Sequence, residues 1–160
     1  MEMNMKIGNQ SFDKPEPMEV KVPFGDKTFT LKVQAVMDYT DFEALVPIPS
    51  PPKVLDVKNN QEVFDTKDKK YLAAVNVYAK TKTSFMVMRS LEATEDLTWD
   101  TVDKDKPDTW HRVENELRKA FTEFGMQKIQ KSILQVNGLG EEILEQARQS
   151  FLAFQSRQSA

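Results

Sequence analysis

The clearest pattern in the chain is an alternation. Met18-Glu19-Val20-Lys21-Val22 sets apolar and charged residues in turn, and Thr28-Phe29-Thr30-Leu31-Lys32-Val33 does so again. A period of two places Phe29, Leu31 and Val33 on one face of a strand. Between the two runs lies Pro23-Phe24-Gly25-Asp26-Lys27, where Gly25 is free to take a positive φ. The pair predicts an antiparallel hairpin. A lone hairpin is marginal in water, so this one needs an apolar surface from elsewhere in the chain to rest on. Residues 1–17, with Gly8 and the Pro15-Glu16-Pro17 break, read as a flexible arm ahead of it.

Beyond the hairpin the period changes. Residues 38–46 read as a short helix carrying Phe42 and Leu45, which makes 18–46 one hairpin-and-helix unit. Pro47-Ile48-Pro49-Ser50-Pro51-Pro52 fixes φ and removes backbone donors, so 47–64 reads as a stiff connector. Within it Val54, Leu55 and Val57 suit an edge strand and Asn59-Asn60 a turn. From 68 to 93 there is neither Gly nor Pro. Leu72, Val75, Ala79 and Met86 follow one helical stripe, and Tyr71, Ala74, Tyr78 and Phe85 a neighbouring one. So wide an arc predicts a central helix packed on more than one side.

Residues 94–107 break the helical pattern, with Leu97, Trp99 and Val102 as apolar pegs. Asp108 is the predicted N-cap of a helix that lines up Trp110, Val113, Leu117, Phe121 and Phe124, with Glu114 and Arg118 paired on the wet face. Gly125 is the predicted left-handed stop. Residues 126–136 follow, with Ile129, Ile133 and Val136 on one side and Asn137-Gly138 as the close. A last helix starts at Gly140. Glu141 and Glu142 sit at the positive end of its dipole, Leu139 and Leu144 form a hydrophobic staple, and Ile143, Ala147, Phe151 and Phe154 share a face. Residues 65–155 thus predict a helical bundle and 156–160 a tail. The fold class is α+β, an N-terminal β-hairpin with a mainly α-helical C-terminal bundle.

Composition narrows the function. The chain has 160 residues, 22 basic and 25 acidic, for a net charge of −3. The two signs are interspersed, which gives no support for a nucleic-acid face or for an anionic membrane as partner. No stretch approaches the ~18 apolar residues of a transmembrane helix, and residues 1–10 lack the apolar run of a signal peptide. The absence of cysteine excludes disulfides, thiolate nucleophiles and zinc-thiolate sites, and suits a reducing cytoplasm.

Candidate chemistry is thin. His111 is the single histidine, with Asp108 and Glu114 at helical reach, but no nucleophile motif or oxyanion loop accompanies it. Asp100, Asp103, Asp105 and Asp108 alternate with lysines and a proline, which suits a solvated loop and not a calcium loop. Gly138-Leu139-Gly140 lacks the strand and the Lys-Ser/Thr of a phosphate loop. Pro49-Ser50-Pro51-Pro52 fits a PxxP ligand in spacing and a spacer in context. These readings predict no catalytic residue, no metal and no cofactor. Met37, Met86, Met88 and Met126 are more informative, because methionine adapts to varied partners.

The C-terminal half carries a resemblance. Glu116-Leu117 leads to the aromatic-glycine pair Phe124-Gly125, then to the turn Asn137-Gly138-Leu139, then to a helix with Ala147-Arg148 and Phe151. The order of hairpin, Phe24-Gly25-Asp26-Lys27 turn, proline-rich connector and long helix precedes it. This arrangement, spanning about residues 20–154, resembles the tail assembly chaperones of siphophages and related prophages. The resemblance implies a non-enzymatic protein that binds the tape-measure protein, keeps its apolar helices soluble, and helps recruit tail tube protein. It also implies a host bacterial cytoplasmic location and absence from the finished virion. The competing expectation is a structural minor tail or head–tail adaptor protein. Self-association is compatible with either. An apolar, adaptable surface on a charged body suits the first task. The candidate partner-binding residues are Tyr78, Phe85, Met86 and Met88 on the long helix, and Phe151 and Phe154 near the C-terminus.

Overall fold

A computed structural model describes residues 5–11 and 15–139. The alternation at 18–33 forms the hairpin it predicts. Strands β3 (Met18–Phe24) and β4 (Lys27–Val33) pair antiparallel with Val20 opposite Leu31 and Val22 opposite Phe29. Gly25 opens the two-residue turn at φ +61°, the left-handed region that a side chain disfavours. Ahead of this hairpin, inside the stretch expected to be a loose arm, β1 (Lys6–Ile7) and β2 (Gln10–Ser11) make a minimal hairpin around Gly8.

The remaining described elements are α1 (Thr40–Leu45), β5 (Lys53–Asp56), β6 (Gln61–Phe64), α2 (Lys69–Leu91), a single 3-10 turn at Pro107–Thr109, α3 (Arg112–Ala120) and α4 (Glu123–Val136). Among the described residues β5 and β6 pair only with each other, closed at the base by Asp65 N–H donating to Pro52 O at 2.8 Å. The α+β class is as the sequence predicts: short antiparallel strand pairs precede a mostly helical C-terminal part.

One face of the β3–β4 hairpin and the helices bury a common core. Val20, Val22, Leu31 and Val33 meet Met126, Ile129 and Ile133 of α4, Phe85, Met88 and Leu91 of α2, and Val113 and Leu117 of α3. Each such side chain contributes roughly 1.5–3 kcal/mol on leaving water. An aromatic cluster fills the end near α1. The Phe42 ring lies 5.4 Å from Tyr78, 5.4 Å from Phe85 and 6.1 Å from Trp110. Trp110 is fully buried, and its Nε1–H donates to Asp103 O at 3.0 Å, so its one polar atom is satisfied. The pegs Leu97, Trp99 and Val102 pack partly buried against this core.

Polar ties hold the elements in register. Gln34 N–H donates to Ser90 O at 2.9 Å, and Lys32 N–H donates to Thr94 Oγ1 at 3.0 Å, so the end of β4 is laced to the end of α2. Asn137, at the end of α4, accepts from Val36 N and donates to Ser90 Oγ.

Two expected helix boundaries move. Asp108 does not cap a helix: it sits in the 3-10 turn, and α3 starts at Arg112 after His111, with no side-chain cap. Gly125 is not a stop. The helix ends at Ala120, Thr122 accepts from Gly125 N–H as the N-cap of α4, and Phe124-Gly125 lies in the first turn of that next helix. Phe124 consequently points away from the face it was expected to share and is 72% exposed. Gly125 serves a close approach instead, since a Cβ there would meet Val22 Cγ1 at 3.0 Å. Gly138 does take the left-handed conformation, at φ +74°, just past α4. The predicted helix at 141–154 and the tail at 156–160 lie outside the described residues.

Candidate functional site

Helix α2 has two unlike halves. Asp68 fixes its start by accepting Tyr71 N–H at 2.9 Å. The C-terminal half, from Phe85 to Leu91, is embedded in the core. In the N-terminal half Leu72, Ala73, Ala74, Val75, Val77 and Ala79 are all exposed. Leu72 keeps 48% of its surface in solvent and Val77 63%. These residues occupy nearly every side of the helix, a distribution normally found where a helix is enclosed on all sides.

The β5–β6 hairpin, immediately before α2, shares this character. Val54 opposes Val63 on one face, while Leu55, opposite Glu62, and Phe64, opposite Lys53, point to the other. All four apolar side chains are exposed, with Phe64 at 59%. Lys53 Nζ sits 5.6 Å from the centre of the Phe64 ring, covering it only in part. Among the described residues the outer edge of each strand has no pairing strand. The β5–β6 hairpin and the N-terminal half of α2 therefore form a consecutive stretch of chain rich in exposed apolar surface. Surface of this kind marks interaction sites in soluble proteins.

Of the partner-surface residues expected on the long helix, three are buried and one is half-buried. Phe85 and Met88 are buried in the core, and Tyr78 is half-buried against Phe42. Met86 is also buried, where it lines a groove of ≈ 210 Å³ between α2, α3 and α4 with Val87, Leu117, Met126 and Leu134. The candidate contacts on α2 thus shift toward its N-terminus, to Leu72, Val75 and Val77. Phe151 and Phe154 lie outside the described residues. One signal in the sequence pointed to the shift. Ala73 and Val77 lie outside both predicted stripes, so no single packed face accommodates the whole run.

His111 lies at the rim of a shallow depression with Asp100, Arg112 and Glu116. Glu116 holds the 100–101 segment: its carboxylate accepts from Asp100 N at 2.7 Å, Thr101 N at 3.0 Å and Thr101 Oγ1 at 2.8 Å. Burial pushes this carboxyl up, but those hydrogen bonds, with the Lys119 charge, outweigh it and hold the group below the ordinary carboxylate range. Among the described residues no group of three or more His, Asp or Glu is arranged to hold a metal ion.

Comparison with known protein families, curated proteins and solved structures gives no match. The exposed stretch at 53–80 therefore carries the functional reading on its own chemistry. Among the described residues no helix is long and apolar enough to cross a membrane.

Proposed function

We propose that this protein binds another polypeptide through the β5–β6 hairpin and the N-terminal half of α2, and that it serves as a tail assembly chaperone for a tape-measure protein. The observation that carries this reading is the exposure of Leu72, Val75 and Val77 on a helix anchored at its other end in the core. A chaperone of this type needs apolar surface that engages long helices and releases them. A half-anchored helix supplies such a surface without exposing the core itself. The turn Asn137-Gly138-Leu139 follows α4, with Gly138 at positive φ. The pair Phe124-Gly125 does not act as a helix stop, so the reading rests on the exposed surface and the hairpin–connector–helix order, not on that motif.

Co-expression with a tape-measure protein tests the reading. The wild-type chain is expected to hold the tape-measure protein in the soluble fraction, and the double variant Val75→Asp, Val77→Asp is expected to fold but to lose that capacity. Capture of tail tube protein by the same complex extends the test. Stoichiometric amounts of the chain in purified mature particles would instead assign it to the virion as an adaptor or minor tail component.

A further inference from the structure

Charge is not evenly distributed along this chain. Between Asp68 and Glu92 there is no acidic residue, while Lys69, Lys70, Lys80, Lys82 and Arg89 are present, in a protein whose net charge is −3. Lys69, Lys70 and Lys80 are exposed, as is Lys67 just before the helix. Among the described residues no salt bridge involves any of these four lysines. Three of the nearby acids are used locally: Asp65 accepts from Lys67 N–H, Asp56 from Lys58 N–H and Asn59 Nδ2, and Asp68 caps the helix, while Glu62 sits on β6 opposite Leu55.

The positions of these cations matter as much as their number. Lys69, Asn76 and Lys80 fall on one line along the helix, between the stripe Leu72-Val75-Ala79 and the pair Ala73-Val77. Lys69 and Lys70 occupy the first turn, where the helix dipole disfavours positive charge. The sequence thus places cations, against local helix electrostatics, beside exposed apolar side chains.

From this we infer that the partner segment is an amphipathic helix whose apolar stripe is bordered by Asp and Glu. The inference rests on the protein-binding reading above and adds the partner's charge. Apolar contact with Leu72, Val75 and Val77 supplies adhesion, and pairing of the partner's carboxylates with Lys69, Lys70 and Lys80 supplies orientation and discrimination. The same cations oppose pairing of this surface with itself, because two copies would bring lysines together.

The test uses the full chain and two fluorescent helical peptides of about 20 residues, with one apolar stripe and with either Glu or Lys on its borders. The Glu-bordered peptide is expected to bind about tenfold more tightly at low salt, and the gap is expected to narrow as salt is added. The variant Lys69→Glu, Lys70→Glu, Lys80→Glu is expected to reverse the preference. Its two new first-turn carboxylates favour the helix dipole, so circular dichroism should show an unchanged fold. Equal affinity for both peptides overturns the charge inference and leaves the protein-binding reading standing. Failure of both peptides to bind overturns that reading as well. Tighter binding to phosphatidylglycerol-containing vesicles or to duplex DNA than to the Glu-bordered peptide reassigns the cations to phosphate. Sedimentation that shows self-association abolished by charge reversal reassigns the surface to a second copy of the chain.

Discussion

The Asn137 side-chain oxygen accepts the Val36 N–H at 2.9 Å, across 101 positions of sequence. The same side chain donates through Nδ2 to Ser90 Oγ at 3.0 Å and to Ile133 O at 2.7 Å. One amide therefore ties the segment after β4, the end of α2 and the end of α4. Removing it leaves a partly buried Val36 N–H without its acceptor, at a cost of about 1–3 kcal/mol. Asn137→Ala should lower stability by that amount in urea titrations. Asn137→Asp should also be destabilising, because it keeps the acceptor and loses both donors.

Gly125 and Val22 set the distance between α4 and the hairpin. Alanine is the better helix former by roughly 1 kcal/mol, yet here its Cβ would press on the fully buried Val22 side chain. Gly125→Ala should therefore fail to stabilise and should cost on the order of 1 kcal/mol through overpacking. In a Val22→Ala background the same substitution should become neutral or favourable. A double-mutant cycle followed by denaturant unfolding checks the coupling.

Exposed and embedded residues of α2 should respond in opposite ways. Phe85→Ala removes a ring packed between Phe42 and Trp110, and should cost about 3–5 kcal/mol. Met88→Ala should cost about 2–5 kcal/mol. Val77→Ser, on the exposed half, should change stability by no more than about 0.5 kcal/mol while weakening partner capture. Thermal unfolding read beside a pull-down separates the two classes.

Glu116 gives the protein an acid-sensitive contact. Its carboxyl is held below its ordinary value of 4.5 in the folded state, so the charged form stabilises the fold above that pH. The contribution is lost as pH falls below 4.5 and through the lower folded value. Wild type should exceed Glu116→Gln in stability at neutral pH, and the gap should shrink on acidification below pH 4.5. Urea midpoints for both proteins across that range test the sign.

Much of the fold was legible in the sequence because its signals are local. Alternation at 18–33, the Gly25 turn, Asn137-Gly138 and the Ile129–Ile133 spacing each depend on a few neighbouring residues. The misplaced boundaries have a common cause. Thr122 offers a better N-cap than Gly125 offers a stop, and the choice depends on Val22 packing close to a residue without a Cβ. The burial of Phe85, Met86 and Met88 lay beyond the sequence pattern for a related reason. A helix's apolar residues reveal that it is covered somewhere, but not which end the rest of the chain covers. Phe85 and Met88 have the better partners, Phe42 and Trp110 among them, so the core claims that end and leaves Leu72, Val75 and Val77 outside. Asn137 was visible as a turn residue only, since its long-range partners are backbone and hydroxyl groups that carry no sequence signature.

The unbroken course of α2, about 35 Å for its 23 residues, has a kinetic consequence. Its amides at 69–80 can open without disturbing the core, whereas those near Ser90 open only when the β4 and Asn137 ties are released. Thr81 and Thr83, which donate to the carbonyls of Val77 and Ala79, mark the crossover between these regimes. Deuterium uptake along this single rod should fall from one end to the other, and an occupied tip should flatten the gradient.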